Sequence, residues 1–102
     1  MGTLSGGGNI LISVGKECLI GANAGTGIPL GDRCIIESGL YVTASSKIQL
    51  LTPKGQPGKT LKGRDLAGVS DLLFRRNSLS GTLEALPKAN SIKLNNLLHT
   101  HN

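Results

Sequence analysis

The sequence predicts a mainly β chain, in which a parallel β-helix of six-residue repeats is followed by a short β-rich extension. Glycine accounts for 15 of the 102 residues, as a chain with many tight turns requires. Only 2% of the residues are aromatic, which suits the thin aliphatic layers of a solenoid better than a compact globular core. Apolar or small residues recur at every sixth position from residue 12, namely Ile12, Cys18, Ala24, Leu30, Ile36, Val42 and Ile48.

A second column of small or apolar residues accompanies the first and changes sides near residues 26–28. Because residues i and i+2 of a strand share a face, each six-residue unit supplies two inward side chains. Three units predict one triangular coil of about 18 residues, and the change of phase predicts an irregular corner at residues 25–29. Coils of this class are usually left-handed. We assign the coils to residues 1–51. The second column consists of Val14, Ile20, Thr26, Ile28, Cys34, Leu40 and Ser46.

Residues 52–102 form the predicted extension, made of a loop, short strands and a flexible tail. Two prolines and two glycines predict a loop at Thr52–Lys59. The tail contains a predicted helical turn at Leu94–His99, and we assign its H-x-H sequence, His99 and His101, to a mobile end rather than to a metal site. Strands are predicted at 60–66, 72–78 and 82–86, with a turn at 79–81.

The charge pattern alone is more typical of a solvated basic face than of a site for an anionic partner, although it is compatible with both. The net charge is +5, and residues 53–76 hold six cations against two anions. Two aromatic residues are few for stacking single-stranded nucleic acid. Cys18 and Cys34 lack the spacing of a zinc site and are interpreted as buried small residues. No apolar run approaches the length of a membrane-spanning helix and no signal peptide opens the chain, so the predicted location is the cytoplasm, without membrane contact.

Four stretches of the sequence, in order, resemble the tetrahydrodipicolinate N-succinyltransferases of bacterial lysine biosynthesis. They are GTLSGGG (2–8), LIGANAGTG (19–27), IESGLYVTA (36–44) and LLFRRNS (72–78). The resemblance covers nearly the whole chain and implies the C-terminal portion of such an enzyme. It implies a homotrimer with active sites between neighbouring subunits. It also implies transfer of a succinyl group from succinyl-CoA, the cosubstrate, to the amine of acyclic tetrahydrodipicolinate.

The resemblance also assigns roles to residues. It makes Gly2 a backbone N–H donor to the oxyanion that forms in the reaction. It places the catalytic carboxylate and the metal-binding carboxylates upstream of Gly2. This chain alone is therefore expected to be inactive and to hold no metal ligands. Ser45 stands where the family pattern has glycine, which puts a close backbone approach there in doubt. The positions that match cosubstrate-binding residues are Ala22, Glu37, Ser38, Ser45, Lys62, Arg75, Arg76, Asn77 and Ser78.

Arg75 and Arg76 are the residues that most resist a purely structural explanation. Neighbouring residues of a strand point to opposite sides, so we expect one arginine to meet coenzyme A phosphates. The other should pair with a carboxylate or a backbone carbonyl.

Three alternative functions share parts of this pattern. The closest are another hexapeptide-repeat acyltransferase that uses coenzyme A, acting on a sugar nucleotide or a different amine, and a non-catalytic structural β-solenoid. A zinc-dependent carbonic anhydrase on this scaffold would need histidines on the coils, and both histidines lie in the tail.

Overall fold

The structure, a computed structural model, describes residues 3–5 and 10–88, with side chains described from residue 12 onward. Gly2, the predicted helical turn at 94–99 and the two histidines lie outside these residues. The described chain is mainly β, as predicted, and contains one 3₁₀ helix at Gly63–Leu66. Its strands are β1 Thr3–Ser5, β2 Ile10–Ile12, β3 Leu19–Ile20, β4 Gly25–Thr26, β5 Ile35–Ile36, β6 Tyr41–Val42, β7 Lys47–Leu51, β8 Pro57–Lys62, β9 Leu72–Arg76 and β10 Leu83–Pro87.

Successive coils pair in parallel, and the coil is shorter than predicted. Leu19 lies opposite Ile35 and Gly25 lies opposite Tyr41, so one coil is two residues shorter than three full six-residue units. The predicted coil length was therefore wrong. The reason is the corner at residues 26–28, where the Thr26 hydroxyl donates to the carbonyl of Ile28 and accepts from its N–H, at 2.8 and 3.1 Å. This tight turn removes two residues from the third side of the coil, at the predicted irregular corner.

The extension continues one face of the coil. Six strands form one sheet in the order β3-β5-β9-β10-β7-β8. β9 pairs in parallel with β5, so that Phe74 lies opposite Ile36, and β10 joins β9 in antiparallel orientation. Residues 52–71, which include the hairpin strand β8, therefore form an insertion after which the chain returns to the coil.

Two predicted elements of the extension need correction. The strand predicted at 60–66 begins earlier, at Pro57, and ends at Lys62, so the predicted loop shortens to 52–56. Residues 63–66 form the 3₁₀ helix instead, because the Asp65 carboxylate accepts the Lys62 N–H at 3.0 Å and starts a turn. Gly63 also donates its N–H to the Ser46 carbonyl at 2.9 Å, which ties the turn to the coil.

The predicted inward columns form the core. Phe74 is completely buried and is its largest side chain. In the first column, Cys18 and Ala24 are half-buried and pack against the core, whereas the other members are buried. Within the described part of the chain, no helix is long and apolar enough to span a bilayer.

The coil corners use backbone conformations that few residue types adopt readily. Glu17 and Arg33 occupy equivalent corners of successive coils, with φ near 59°. The next corner on this edge is Asp71, with φ of 63°. Aspartate tolerates this left-handed region better than most residues. The Arg33 guanidinium donates two hydrogen bonds of 2.7 and 3.1 Å to the Asp71 carboxylate, which joins the corners that precede the paired strands β5 and β9.

This ion pair predicts a pH-dependent stability. The hydrogen bonds from Arg33 hold the pKa of the Asp71 carboxyl below its ordinary value. A depressed carboxyl pKa contributes stability above the ordinary value of about 3.9, and the contribution disappears as pH falls through the folded-state pKa. Asp71→Asn, which preserves the positive φ, should therefore destabilise the chain near pH 7, and this effect should shrink progressively as the pH falls below about 4. Urea unfolding of both proteins across this range is the measurement. A difference between the two proteins that stays the same as the pH is lowered from 7 to about 2 would show that the ion pair contributes nothing.

Candidate functional site

A concavity of about 380 Å³ lies where strands β5 and β9 end. Because Ile36 and Phe74 are paired, the residues that follow them emerge at the same edge of the sheet. Glu37 thus meets residues 75–78, although the two strands lie far apart in sequence. The lining consists of Glu37, Arg75, Arg76, Asn77, Ser78, Leu79 and Glu84. The structure therefore brings together Glu37 and the four predicted residues of the RRNS sequence.

Arg75 is engaged by a buried carboxylate. Its Nε lies 3.0 Å from Oε1 of Glu84, the residue directly across from it on β10. The Asn77 amide donates to the other carboxylate oxygen at 3.3 Å. Glu84 is only 7% exposed, so this pairing compensates a charge that would otherwise be costly to bury. Sequence reasoning missed Glu84, whose only signal was an acidic residue in an otherwise apolar strand.

Arg76 is exposed and has no carboxylate ion pair among the side chains described. Its Nη1 donates to the Gly81 carbonyl at 2.7 Å, and its backbone N–H donates to the Glu37 carboxylate at 3.3 Å. A guanidinium has five N–H donors, so most of those on Arg76 are available to a ligand. Arg75 is thus paired with a carboxylate, as the strand geometry predicted for one of the two arginines. A contact between the other arginine and coenzyme A phosphates stays a prediction.

The turn after β9 is fixed by Asn77. Its side-chain oxygen accepts the N–H groups of Leu79 and Ser80, at 2.8 and 3.0 Å. Asparagine commonly forms turns of this kind. Ser78 and Leu79 are exposed at the rim, and the Leu79 side chain is 97% exposed. Asn77 therefore shapes the concavity as well as lining it.

Ala22 and Ser38 occupy neighbouring corners of successive coils. The N–H of Gly39 donates to the Ala22 carbonyl at 2.9 Å. A Cβ atom at Gly21 would lie 2.5 Å from the Ser38 nitrogen, so only glycine fits between these corners. Ser38 follows Glu37 directly, and both Ala22 and Ser38 are exposed, but neither lines the concavity.

Ser45 and Lys62 lie elsewhere, beside a second concavity of about 500 Å³. They sit next to residues that line it, Ser46 and Lys47, and Lys62 pairs with Lys47 across β7 and β8. Arg76 lines both concavities. The predicted binding residues therefore divide into two groups on either side of Arg76.

The cysteines have structural positions. Cys34 is buried, with its Sγ 3.2 Å from the Val69 carbonyl, and burial raises the pKa of its thiol. A thiol held in its neutral form is a poor nucleophile and metal ligand. Cys18 is only half-buried, which corrects its predicted burial in part. Within residues 3–5 and 10–88, no group of three or more His, Cys, Asp or Glu side chains is arranged to hold a metal ion.

Part of the chain matches a known family of repeat sequences. Residues 11–44 match the family described as the hexapeptide repeat of succinyl-transferase. This stretch contains the parallel strands β3 to β6, so the predicted six-residue repeat is confirmed.

Relatives that are similar over the whole chain share one enzyme name. Over all 102 residues, the chain is 61% identical to the 2,3,4,5-tetrahydropyridine-2,6-dicarboxylate N-succinyltransferase of Pseudomonas putida. It is 62% identical to the enzyme of that name in Pseudomonas aeruginosa and 58% identical to that in Vibrio cholerae. The chain spans 30% of the length of each.

A solved structure is also similar to this chain. It belongs to a Campylobacter jejuni protein provisionally assigned as a 2,3,4,5-tetrahydropyridine-2-carboxylate N-succinyltransferase. The TM-score is 0.74 at 38% identity, over 86% of this chain and 26% of that one. The resemblance to part of the tetrahydrodipicolinate N-succinyltransferases, first seen in four short stretches, is therefore confirmed along the whole chain.

Proposed function

We propose that this chain supplies the coenzyme A-binding portion of a tetrahydrodipicolinate N-succinyltransferase, an enzyme of lysine (diaminopimelate) biosynthesis. The observation that carries the proposal is the meeting of Glu37 with residues 75–78 in one concavity. Its volume of about 380 Å³ lies within the usual range for small-molecule sites, roughly 300–1,000 Å³. The named relatives, similar over the whole chain, support the same function.

The charges around this concavity suit a phosphate-bearing ligand. Glu84 neutralises Arg75, whereas Arg76 keeps free donors on an exposed guanidinium. Guanidinium groups bind phosphate oxygens through paired, charge-assisted hydrogen bonds. Arg76 is therefore the proposed phosphate ligand, and Arg75 positions the strand from which it projects.

The proposed reaction forms an amide and releases a thiol. The amine nitrogen of acyclic tetrahydrodipicolinate bonds to the succinyl thioester carbon and the C–S bond breaks. A base takes the amine proton, which then passes to the leaving thiolate to give the thiol. Backbone donors stabilise the oxyanion that develops on the carbonyl oxygen. We propose the N–H of Gly2 as one such donor. The catalytic residue, which carries a carboxylate, is proposed to lie upstream of Gly2. Ala22, Glu37, Ser38, Ser45, Lys62 and residues 75–78 bind and orient succinyl-CoA, without a metal ligand.

We also propose left-handed coils, with residues 1–51 as the coil region, in a cytoplasmic homotrimer. An apolar row on the outer face of the sheet supports self-association. Leu19 pairs with Ile35, Ile35 with Leu73, and Leu73 with Leu86, so one apolar side chain per strand faces outward across four strands. Leu19 is 65% exposed. Exposed apolar side chains in a contiguous row are typical of a contact surface.

The alternatives have less support. A sugar-nucleotide acyltransferase would share the repeat and the basic residues, but the three relatives compared above all carry one activity name. A structural solenoid would need no exposed arginine beside a concavity.

Calorimetric titration with succinyl-CoA tests the proposal. We expect saturable binding that weakens as salt rises, since exposed charges are screened over about 8–10 Å at physiological ionic strength. Succinyl-pantetheine, which lacks the nucleotide phosphates, is the matched control and should bind more weakly and with little salt dependence. Absence of succinyl-CoA binding at millimolar concentration would favour the structural solenoid.

A further inference from the structure

The second concavity carries an uncompensated positive charge. Among the side chains of residues 12–88, its charged lining residues are Lys47 and Arg76, and none of its lining residues is acidic. The first concavity, by contrast, contains both Glu37 and Glu84. Of these two sites, the second is therefore the more favourable for an anion.

An exposed aromatic ring borders this site. Tyr41 projects from β6 and is 63% exposed. Its ring lies against Gly25 on the neighbouring strand, where an added Cβ atom would come within 2.5 Å of ring atom Cε2. Gly25 thus lets the tyrosine ring lie close to the strand backbone. A ring supported in this way and still largely exposed is a suitable stacking surface for a planar ligand.

Lys47, which lines this concavity, lies opposite a second lysine at an energetic cost. Lys47 and Lys62 lie directly opposite each other on the antiparallel strands β7 and β8, and both are exposed. Like charges in this position are destabilising. Neither lysine forms an ion pair with any side chain between residues 12 and 88. A bound anion would relieve this repulsion.

We infer that the second concavity binds a phosphorylated nucleotide, with its base stacked on Tyr41 and phosphate held by Lys47 and Arg76. The inference rests on the proposed function, because such a group forms one end of coenzyme A. It adds Tyr41 and Lys47 to the binding residues predicted from sequence. Arg76 lines both concavities, so the ligand passes beside it from one to the other.

The test compares affinities for coenzyme A and for 3′,5′-ADP, its nucleotide fragment. Tyr41→Leu removes the aromatic face and should weaken binding of both by about tenfold, the scale of one lost base–aromatic stack. Tyr41→Phe retains the ring and should bind like the wild type. Lys47→Gln should weaken both ligands by a similar factor and reduce the salt dependence. Lys54→Gln, which removes an exposed lysine remote from the concavity, is the charge-matched control. Pyrophosphate binding should respond to Lys47→Gln but not to Tyr41→Leu.

The outcomes separate this inference from the proposed function. If coenzyme A binds equally well to wild type, Tyr41→Leu and Lys47→Gln, while Arg76→Ala weakens binding, the inference is wrong and the proposed function stands. Binding of 3′,5′-ADP with Tyr41 dependence, but without binding of coenzyme A, would support the nucleotide site and overturn the acyl-CoA function. Failure to bind either ligand would overturn both. Thermal unfolding of each variant checks that the losses do not arise from misfolding.

Discussion

Replacing Phe74 with alanine is expected to lower the free energy of unfolding by about 3–5 kcal/mol. Phe74 is completely buried and pairs with Ile36 on one side and Ala85 on the other, at the junction between the coil and the extension. The substitution removes buried apolar surface and leaves a cavity that the surrounding strands fill only in part. The loss is a large share of the roughly 5–15 kcal/mol that stabilises a typical small domain.

Urea unfolding provides the measurement for Phe74, and Leu79→Ala provides the control. Leu79 is also a large apolar residue, but its side chain is 97% exposed, so its truncation should change stability by less than about 0.5 kcal/mol. Phe74→Ala should also weaken succinyl-CoA binding, because relaxation of β9 around the new cavity would shift the backbone carbonyl of residue 74, which accepts the Glu37 N–H at 3.0 Å. Similar small losses for both variants would mean that the core does not centre on Phe74.

Replacing Arg76 with alanine is expected to weaken succinyl-CoA binding by about 10- to 100-fold, corresponding to roughly 1.5–3 kcal/mol for hydrogen bonds to a charged group. Stability should change little, because the Arg76 side chain is exposed and, among the described residues, its guanidinium bonds only the Gly81 carbonyl. The comparison requires calorimetric titration and urea unfolding of the same preparation.

Arg75→Ala is the matched control, one residue away on the same strand. It leaves the buried Glu84 carboxylate with the Asn77 amide as its remaining side-chain partner, so stability should fall by about 1–3 kcal/mol. Its direct effect on affinity should be smaller than that of Arg76→Ala. If neither substitution alters affinity while both lower stability, the arginine pair is structural and the proposed role of Arg76 is wrong.

The sequence predicted the features that depend on local side-chain direction. The inward columns could be found because alternation along short strands and a fixed repeat act over a few residues. The coil length could not, since it depends on the side-chain hydrogen bonds that Thr26 makes to Ile28. The change of phase in the inward columns indicated the right corner. It did not show that the coil is two residues shorter than three full repeats.

Most residues that line the first concavity could be named from the sequence, but their arrangement could not. The resemblance supplied Glu37 and residues 75–78, but their contact depends on the pairing of β5 with β9 across a long insertion. Glu84 was missed because its partnership with Arg75 follows from the antiparallel register of β9 and β10. The proposed roles of Tyr41 and Lys47 could not be predicted from the sequence for a similar reason. Local patterns do not show which strands become neighbours after a hairpin is inserted.

A crystal structure of this chain with succinyl-CoA tests the central claim most directly. The account predicts coenzyme A lying against residues 37–38 and 75–78, with phosphate oxygens within hydrogen-bonding distance of the Arg76 guanidinium and Arg75 still paired with Glu84. Coenzyme A bound away from both concavities, with both arginines in their present contacts, would contradict this prediction.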